Sequence, residues 1–120
     1  MLSPTVSVVI PTYNAQSTII RAIKSVLNQK FNNLEILIVD DKSTDGTVKT
    51  VKKIFPNLSI IELPENLGVA NARNEGIRIS SGKYIAFLDS DDLWNEEKLF
   101  FQITFMEEKN CEASCTYVEY

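Results

Sequence analysis

Short apolar runs alternate with amphipathic helical segments along the chain, and this alternation restricts the fold more than any other feature. The predicted strands span residues 5–10, 34–40, 58–63 and 83–88, and the predicted helices span residues 16–29, 47–55, 68–79 and 95–108. Strands that alternate with helices favour a largely parallel sheet joined by right-handed crossovers. The sequence therefore predicts an α/β fold in which helices cover a mostly parallel central sheet.

The same patterns predict several local details. Pro11 is expected to close the first strand, because proline lacks the N–H that a strand interior uses. Ile23 and Leu27 fall at helical spacing on the inward face of the first helix. Asn95 is expected to cap the last helix, which would place Leu99 against the core.

Size, charge and cysteine content exclude several classes of protein. The chain has 120 residues, which predicts one domain, and its net charge of -4 comes without a stripe of Lys and Arg, so nucleic acid is not an expected partner. No apolar stretch approaches the roughly 20 residues of a membrane span, and the start of the chain lacks the pattern of a signal peptide. We therefore expect a cytoplasmic protein in which Cys111 and Cys115 are reduced thiols.

The sequence contains no histidine, and this limits the catalytic and metal-binding groups that the chain can supply. Catalytic triads, proton relays and metal sites that depend on histidine are excluded within this chain. General acid or base catalysis must then fall to Asp, Glu, Lys or Tyr.

Two acidic segments, residues 39–47 and 88–92, each follow directly after an apolar run. The carboxyl ends of parallel strands meet at the edge where open α/β sheets bind ligands, and clustered carboxylates repel one another unless a cation or a donor-rich ligand lies between them. Asp89 and Asp91 form an Asp-x-Asp pair whose hard oxygen ligands suit Mg²⁺ or Mn²⁺. The two segments therefore predict a divalent metal that carries a phosphorylated ligand, with Asp92 interpreted as a loop-orienting or capping residue.

Several of these residues also have a purely structural interpretation. The segment 11–14, Pro-Thr-Tyr-Asn, is typical of a turn. Asp45 is interpreted as a cap of the helix that follows it. Arg73 lies near the start of the third predicted helix, where it would either bind phosphate or pair with Glu75 or Asp41. No single segment separates these alternatives.

Taken together, the segments resemble the nucleotide-sugar glycosyltransferases of family 2, which have a GT-A fold. The matching segments are Pro11-Thr12-Tyr13-Asn14, Val39-Asp40-Asp41 through Asp45-Gly46-Thr47, Asn66-Leu67-Gly68 through Ala72-Arg73-Asn74, and Leu88-Asp89-Ser90-Asp91-Asp92-Leu93-Trp94. The resemblance implies a Rossmann-like three-layer sandwich with a mostly parallel central sheet. It also implies that residues 1–120 are the nucleotide-sugar-binding part of a catalytic domain, truncated before the acceptor-binding part.

The resemblance further implies roles for individual residues. Thr12 and Tyr13 would line the base and ribose, and Asp41 would accept a hydrogen bond from the base, most often uracil. Asp89 would hold the ribose or a metal-bound water, and Asp91 would ligate the metal that bridges the diphosphate. The implied substrate-binding set also includes Pro11, Ser90 and Arg73, the last of these near the base or the diphosphate.

The implied reaction is the transfer of a sugar, with inversion, from a nucleoside-diphosphate sugar to a hydroxyl acceptor in polysaccharide or glycoconjugate synthesis. The expected donor is a UDP-sugar, the expected cofactor is Mn²⁺ or Mg²⁺, and the enzyme class is a hexosyltransferase. Family members continue well past this length, so we expect the catalytic base beyond Tyr120 and a fragment incomplete for turnover. The implied acceptor is a sugar or a glycolipid, and a membrane-bound acceptor would favour peripheral membrane association of the full protein. An unpaired strand edge at residues 113–120 favours a homodimer.

Two alternatives from other classes remain open. One is a non-catalytic module that binds a nucleotide sugar without transferring it. The other is a receiver-type phosphoacceptor domain, which also combines an acidic pair with parallel strands. In receivers the acidic pair follows the first strand, where this chain has Pro-Thr-Tyr-Asn. Labelling by a phosphoryl donor would indicate the receiver, whereas a fragment of an enzyme that lacks the acceptor half would itself behave as the module does.

Overall fold

Strands and helices alternate through residues 4–110, which are the residues that this computed structural model describes. The elements are β1 (Val6–Thr12), α1 (Ile19–Leu27), β2 (Leu34–Asp40), α2 (Thr47–Ile54), β3 (Ser59–Glu62), α3 (Val69–Ile79), β4 (Tyr84–Phe87) and α4 (Lys98–Lys109). The strands form one four-stranded sheet in the order β3-β2-β1-β4, and each neighbouring pair is parallel. The predicted α/β class with a mostly parallel central sheet is confirmed.

Alternate residues of β1 face two different helical layers. Val8 and Ile10 lie in a core with residues of α1, α2 and α4, whereas Val9 packs with Ala72 of α3 on the opposite face. These three β1 residues are completely buried, as expected for a parallel strand covered by helices on both faces. The resulting three layers place the carboxyl ends of β1, β2 and β4 at one edge of the sheet.

Strand β1 continues through Pro11 to Thr12, so the prediction that this proline ends the strand is wrong. Backbone groups along a strand point alternately to its two neighbours. Leu88 N–H donates to Val9 O at 3.0 Å on the β4 side, so Pro11, two residues further on, faces the same side. The register between β1 and β4 ends at Val9, and the missing N–H of Pro11 therefore removes no hydrogen bond from the sheet.

Two details of the helices also differ from the prediction. Leu27, the last residue of α1, is 49% exposed, whereas Ile23 is buried. Helix α4 begins at Lys98, and the Asn95 side chain accepts a hydrogen bond from Glu97 N in the turn before the helix, so Asn95 is not its N-cap. Both differences occur at helix ends, where the neighbouring segments decide exposure and capping as much as helical periodicity does.

Helix α3 approaches the sheet closely at Gly76. A Cβ atom built at this position would lie 2.3 Å from Cγ1 of Val9, and Val9 is completely buried in β1. Since the helix and the strand are both held by the surrounding core, neither can move away without cost. The absence of a side chain at Gly76 therefore sets the distance between α3 and the sheet.

We expect Gly76→Ala to lower the free energy of unfolding by about 1–3 kcal/mol, the usual cost of overpacking a core. This loss should appear even though Ala favours a helix over Gly by about 1 kcal/mol. Urea unfolding followed by circular dichroism measures the change. Gly46→Ala is the matched control, because the three atoms nearest to its Cβ would all belong to the movable side chain of Gln16. Equal losses in both variants would contradict the packing argument.

Glu35 ties the turn before β4 to β1 and β2. Its carboxylate accepts hydrogen bonds from the Ser7 hydroxyl and from the backbone N–H and hydroxyl of Ser81, and the Ser7 oxygen accepts one from Gly82 N at 2.8 Å. Burial by itself would raise the pKa of Glu35, but the hydrogen bonds from Ser7 and Ser81 outweigh it and hold the pKa below its ordinary value of 4.5. The ionised form of Glu35 is therefore the form that stabilises this turn.

Glu35→Gln is expected to destabilise the protein near neutral pH and to have a smaller effect as the pH falls. Because folding lowers the pKa of Glu35, its stabilisation is fully present above the unfolded-state pKa and is lost as the pH falls through the folded-state pKa. Urea unfolding of both proteins at about pH 7, 5 and 3 would follow this loss. A difference between the two proteins that does not change with pH would refute the role given to the charge.

Some predictions fall on residues 111–120, which lie outside the described residues. They are the strand at residues 113–120, the exposed edge it would offer for a homodimer, and the reduced state of Cys111 and Cys115. Within the described part of the chain, no helix is long and apolar enough to cross a membrane.

Candidate functional site

A cavity of about 490 Å³ lies at the edge formed by the carboxyl ends of β1, β2 and β4 and by the first turns of α3. It is lined by the predicted site residues Pro11, Thr12, Tyr13, Asp41, Arg73, Asp89, Ser90 and Asp91. The lining also includes Asn14 and Ala72 of the matching segments and four residues that the sequence did not single out as site residues: Ala15, Ser17, Thr18 and Val69. Residues that are far apart in sequence thus converge on one site because parallel strands end at the same edge.

The loop after β1 is held in place by Asn14. Its side-chain oxygen accepts hydrogen bonds from the backbone N–H groups of Thr44 and Asp45 at 2.8 and 3.3 Å. Its own backbone N–H donates to the Ser43 hydroxyl at 2.9 Å, and its φ of 46° is a left-handed conformation that asparagine tolerates. Asn14 therefore has the structural role that the turn interpretation gives it, and it fixes the loop that presents the exposed Tyr13 to the cavity.

Asp41 is only 4% exposed and is held by the loop that precedes α3. One carboxylate oxygen accepts a hydrogen bond from Leu67 N at 3.0 Å, and the other accepts one from Gly68 N at 2.9 Å. Gly68 has a φ of 100°, a conformation that residues with a side chain rarely adopt. An ionised carboxylate offers about four lone-pair positions, so Asp41 keeps acceptor capacity toward the cavity while it orders this loop.

The other carboxylates of the first acidic segment serve the local structure. Asp40 is buried and accepts hydrogen bonds from Ser43 N and the Ser43 hydroxyl at 2.9 and 2.6 Å. Asp45 accepts from the backbone N–H and the hydroxyl of Thr47, the first residue of α2. Burial raises the pKa of Asp45, but the hydrogen bonds from Thr47 outweigh it and keep the pKa below its ordinary value. Asp45 therefore has a structural role, but the N-cap of α2 is Gly46 and no side chain caps the helix, so the prediction that Asp45 caps it is wrong.

Arg73 pairs with an acid of the second segment, not with the acids named from the sequence. Its Nη2 lies 3.1 Å from Oδ1 of Asp89, and its guanidinium carbon lies 6.0 Å from the centre of the Phe87 ring. Glu75, one of the predicted partners, pairs with Arg78 instead. The Nε of Arg73 is buried and has no hydrogen-bond partner within residues 4–110. Arg73 is therefore only partly satisfied in a cavity that it lines.

The carboxylates of Asp89, Asp91 and Asp92 form a group that we call the acidic cluster, in which one oxygen of each lies within 4.8 Å of the others. A turn brings them together, with Asp92 N donating to Asp89 O at 3.0 Å. The sequence interpretation limited Asp92 to orienting or capping the loop, whereas the structure places its carboxylate with the other two. Three hard oxygen donors that repel one another fit Mg²⁺ or Mn²⁺.

Comparison with known proteins identifies the family. Residues 7–119 match the model of glycosyl transferase family 2. The chain belongs to this family. The resemblance stated from the motifs is thereby confirmed, and membership of family 2 removes the receiver-type alternative.

The relatives and solved structures that the chain resembles include a protein named as a glycosyltransferase and one named as a mannosyltransferase. The putative teichuronic acid biosynthesis glycosyltransferase TuaG of Bacillus subtilis (strain 168) is 45% identical over 116 residues, which cover 94% of this chain and 46% of TuaG. TarS 1-349 of S. aureus in complex with UDP-GlcNAc matches 88% of this chain and 32% of its own, with a TM-score of 0.81 and 34% identity. The mannosyltransferase PcManGT of Pyrobaculum calidifontis in complex with GDP-Man and Mn²⁺ matches 88% of this chain and 33% of its own, with a TM-score of 0.78 and 30% identity.

These matches confirm the GT-A fold for this family 2 chain. The chain spans about half the length of TuaG and about a third of each of the two solved chains. The family and the fold of this chain are therefore established, whereas the activity and substrates of the whole protein are proposed.

Proposed function

We propose that this chain binds the donor in a metal-dependent, inverting glycosyltransferase and that the donor is a UDP-sugar. The observation that carries the proposal is the convergence on one cavity of Thr12, Asp41, Arg73 and two members of the acidic cluster, Asp89 and Asp91. Family membership supports sugar transfer, and the complex of TarS with UDP-GlcNAc supports a uridine nucleotide. Residues 1–120 would supply the donor-binding part of the catalytic domain, and the acceptor-binding part would lie outside them.

The side chains after β1 and β2 support a place for the base and ribose. Thr12 and Asp41 are buried and line the cavity, whereas Tyr13 lines it with 48% of its surface exposed. A buried carboxylate accepts a strong hydrogen bond from a uracil N–H. An exposed aromatic ring offers a flat surface on which a base stacks. We therefore assign Asp41 to the base and Thr12 and Tyr13 to the base and ribose.

Arg73 and the acidic cluster support a place for the diphosphate. A guanidinium binds phosphate oxygens through paired N–H groups, and the carboxylates of Asp89 and Asp91, with Asp92 beside them, would hold Mn²⁺ or Mg²⁺. PcManGT contains Mn²⁺ together with GDP-Man. The bound metal would neutralise the negative charge that gathers on the diphosphate as the sugar leaves.

In the proposed reaction the acceptor hydroxyl attacks the anomeric carbon from the face opposite the diphosphate. A bond forms between that oxygen and the anomeric carbon, the bond from this carbon to the diphosphate oxygen breaks, and a base takes the hydroxyl proton. We place this base beyond Tyr120. The name of TuaG supports a role in polysaccharide biosynthesis. Cytoplasmic location, peripheral membrane association and homodimerisation stay predictions.

Calorimetric titration of the 120-residue chain with UDP, GDP, TDP and CDP, each with and without Mn²⁺, tests this proposal. We expect UDP to bind most tightly and Mn²⁺ to increase its affinity. UMP should gain little from Mn²⁺, because it offers no diphosphate for the metal to bridge. Tighter binding of another nucleotide would contradict the assignment of uracil, and failure of every nucleotide to bind would contradict the donor site itself.

A further inference from the structure

A buried glutamine outside the cavity, Gln29, joins the end of α1 to the segment that follows the acidic cluster. Gln29 is 8% exposed. Its side-chain nitrogen donates to Asn95 O at 2.6 Å and to Ser25 O at 3.0 Å. Its side-chain oxygen accepts from Leu99 N at 3.0 Å. Both ends of the amide are therefore used, and two of its partners lie in or next to the first turn of α4.

The segment that carries the acidic cluster is held at both of its ends. At its start, Leu88 N donates to Val9 O, which fixes the segment to the sheet. At its end, Gln29 binds the carbonyl of Asn95 and the N–H of Leu99. Leu99 is buried. Its N–H lies in the first turn of α4, where backbone N–H groups have no acceptor within the helix.

Lys30 also contacts this segment, and its backbone N–H donates to Glu96 O at 2.7 Å, a bond that substitution of the Gln29 or Lys30 side chain leaves in place. Its side chain forms ion pairs with Glu96 at 3.2 Å and Glu97 at 3.3 Å, and all three side chains are at least 44% exposed. Exposed ion pairs of this kind contribute little, because water and salt screen them. The buried amide of Gln29 is therefore the principal side-chain tie between α1 and this segment.

We propose that Gln29 is a positioning residue for the acidic cluster. By fixing Asn95 and the start of α4, its amide would keep the carboxylates of Asp89, Asp91 and Asp92 close enough to hold one cation. This inference rests on the proposed function, in which the acidic cluster binds the metal. Gln29 itself touches neither the cluster nor the cavity.

The Gln29 side chain acts as both a hydrogen-bond donor and an acceptor, and this requirement makes the proposal testable. Only a side chain with a donor and an acceptor at this length satisfies both Asn95 O and Leu99 N. Gln29→Met keeps the shape and removes both functions. Gln29→Asn keeps both functions on a stem one methylene shorter. Lys30→Ala is the matched control, since it removes the exposed ion pairs and leaves the buried amide intact.

The experiment measures Mn²⁺ binding to the 120-residue chain by electron paramagnetic resonance, and UMP binding without metal by calorimetry. Both are recorded at a temperature where circular dichroism shows each variant folded. We expect Gln29→Met to lose at least about tenfold in Mn²⁺ affinity, the lower end of the range for residues that orient metal ligands. Its UMP affinity should not change, and Lys30→Ala should keep the wild-type values of both.

Each outcome bears on a different claim. Unchanged Mn²⁺ affinity in folded Gln29→Met would overturn the positioning role and leave the proposed function intact. If Gln29→Met does not fold, Gln29→Asn decides, and wild-type Mn²⁺ affinity in that variant would overturn the role. Weakened UMP binding that accompanies weakened Mn²⁺ binding would also overturn it, because a general loss of structure affects both ligands. Failure of the wild-type chain to bind Mn²⁺ would overturn the metal assignment, and the role of Gln29 with it.

Discussion

Asp91→Asn is expected to abolish the gain in UDP affinity that Mn²⁺ gives, while UDP binding without metal stays as it is. The substitution keeps the size of the side chain and removes its charge, so the acidic cluster loses an anionic ligand. The remaining carboxylates, Asp89 and Asp92, lie within 4.8 Å of the Asp91 position, but Asp89 is already shared with Arg73. We expect Mn²⁺ affinity to fall by at least about tenfold.

Calorimetric titration with UDP and UMP, with and without Mn²⁺, measures this effect. UMP shows whether the nucleoside part of the site is intact, since it should bind the variant as it binds the wild type. Glu108→Gln, which removes one negative charge outside the cavity, controls for the change in net charge. If Asp91→Asn keeps the full gain from Mn²⁺, the metal assignment to Asp91 is wrong and Asp89 or Asp92 becomes the candidate ligand.

Asp41→Ala should weaken UDP binding equally with and without Mn²⁺ and should also destabilise the fold. A lost hydrogen bond to a charged group costs roughly 1.5–3 kcal/mol, which corresponds to about a ten- to hundredfold loss of affinity. The same substitution leaves the backbone N–H groups of Leu67 and Gly68 without their acceptors. A buried unsatisfied group costs about 1–3 kcal/mol, but Leu67 is 62% exposed and Gly68 is half-buried, so water replaces part of the lost bonds and the cost lies toward the lower end.

The matched control for this variant is Asp45→Ala. Asp45 comes from the same loop and accepts hydrogen bonds from the backbone N–H and the hydroxyl of Thr47, but it does not line the cavity. Loss of hydrogen bonds to a charged group costs about 1.5–3 kcal/mol, so Asp45→Ala should destabilise the protein and leave UDP binding unchanged. If folded Asp41→Ala binds UDP as tightly as the wild type, Asp41 serves the loop alone and its assignment to the base is wrong.

The strongest predictions from sequence concern the sheet and its functional edge. The run at residues 34–40 is apolar apart from Glu35 and ends in an aspartate, and β2 has the predicted boundaries. Strands β3 and β4 are shorter than predicted. Within the described residues, each of them pairs with one neighbouring strand. The site residues converge because their segments lie at the edge where the strands of one parallel sheet end. The alternating order of strands and helices in the sequence predicts this arrangement.

The remaining details depend on contacts that no local pattern records. Pro11 fits inside β1 because it faces β4, whose pairing with β1 ends at Val9. The sequence around Pro11 does not reveal the order of the strands. Asp89 becomes the partner of Arg73 because α3 and the end of β4 lie next to each other. The role of Gln29, two residues past the end of α1, has no signal in the neighbouring sequence, since its partners Asn95 and Leu99 come from the far end of the described chain.

The hydrogen bonds of Asp41 provide the cavity with an intrinsic spectroscopic probe. The N–H protons of Leu67 and Gly68 bind the two oxygens of this carboxylate directly. A nucleotide that donates to Asp41 would withdraw electron density from both oxygens and shift the amide signals of both residues in a nitrogen–proton correlation spectrum. These two resonances, followed during a titration, would distinguish occupation of the base position from binding at the acidic cluster without any substitution in the chain.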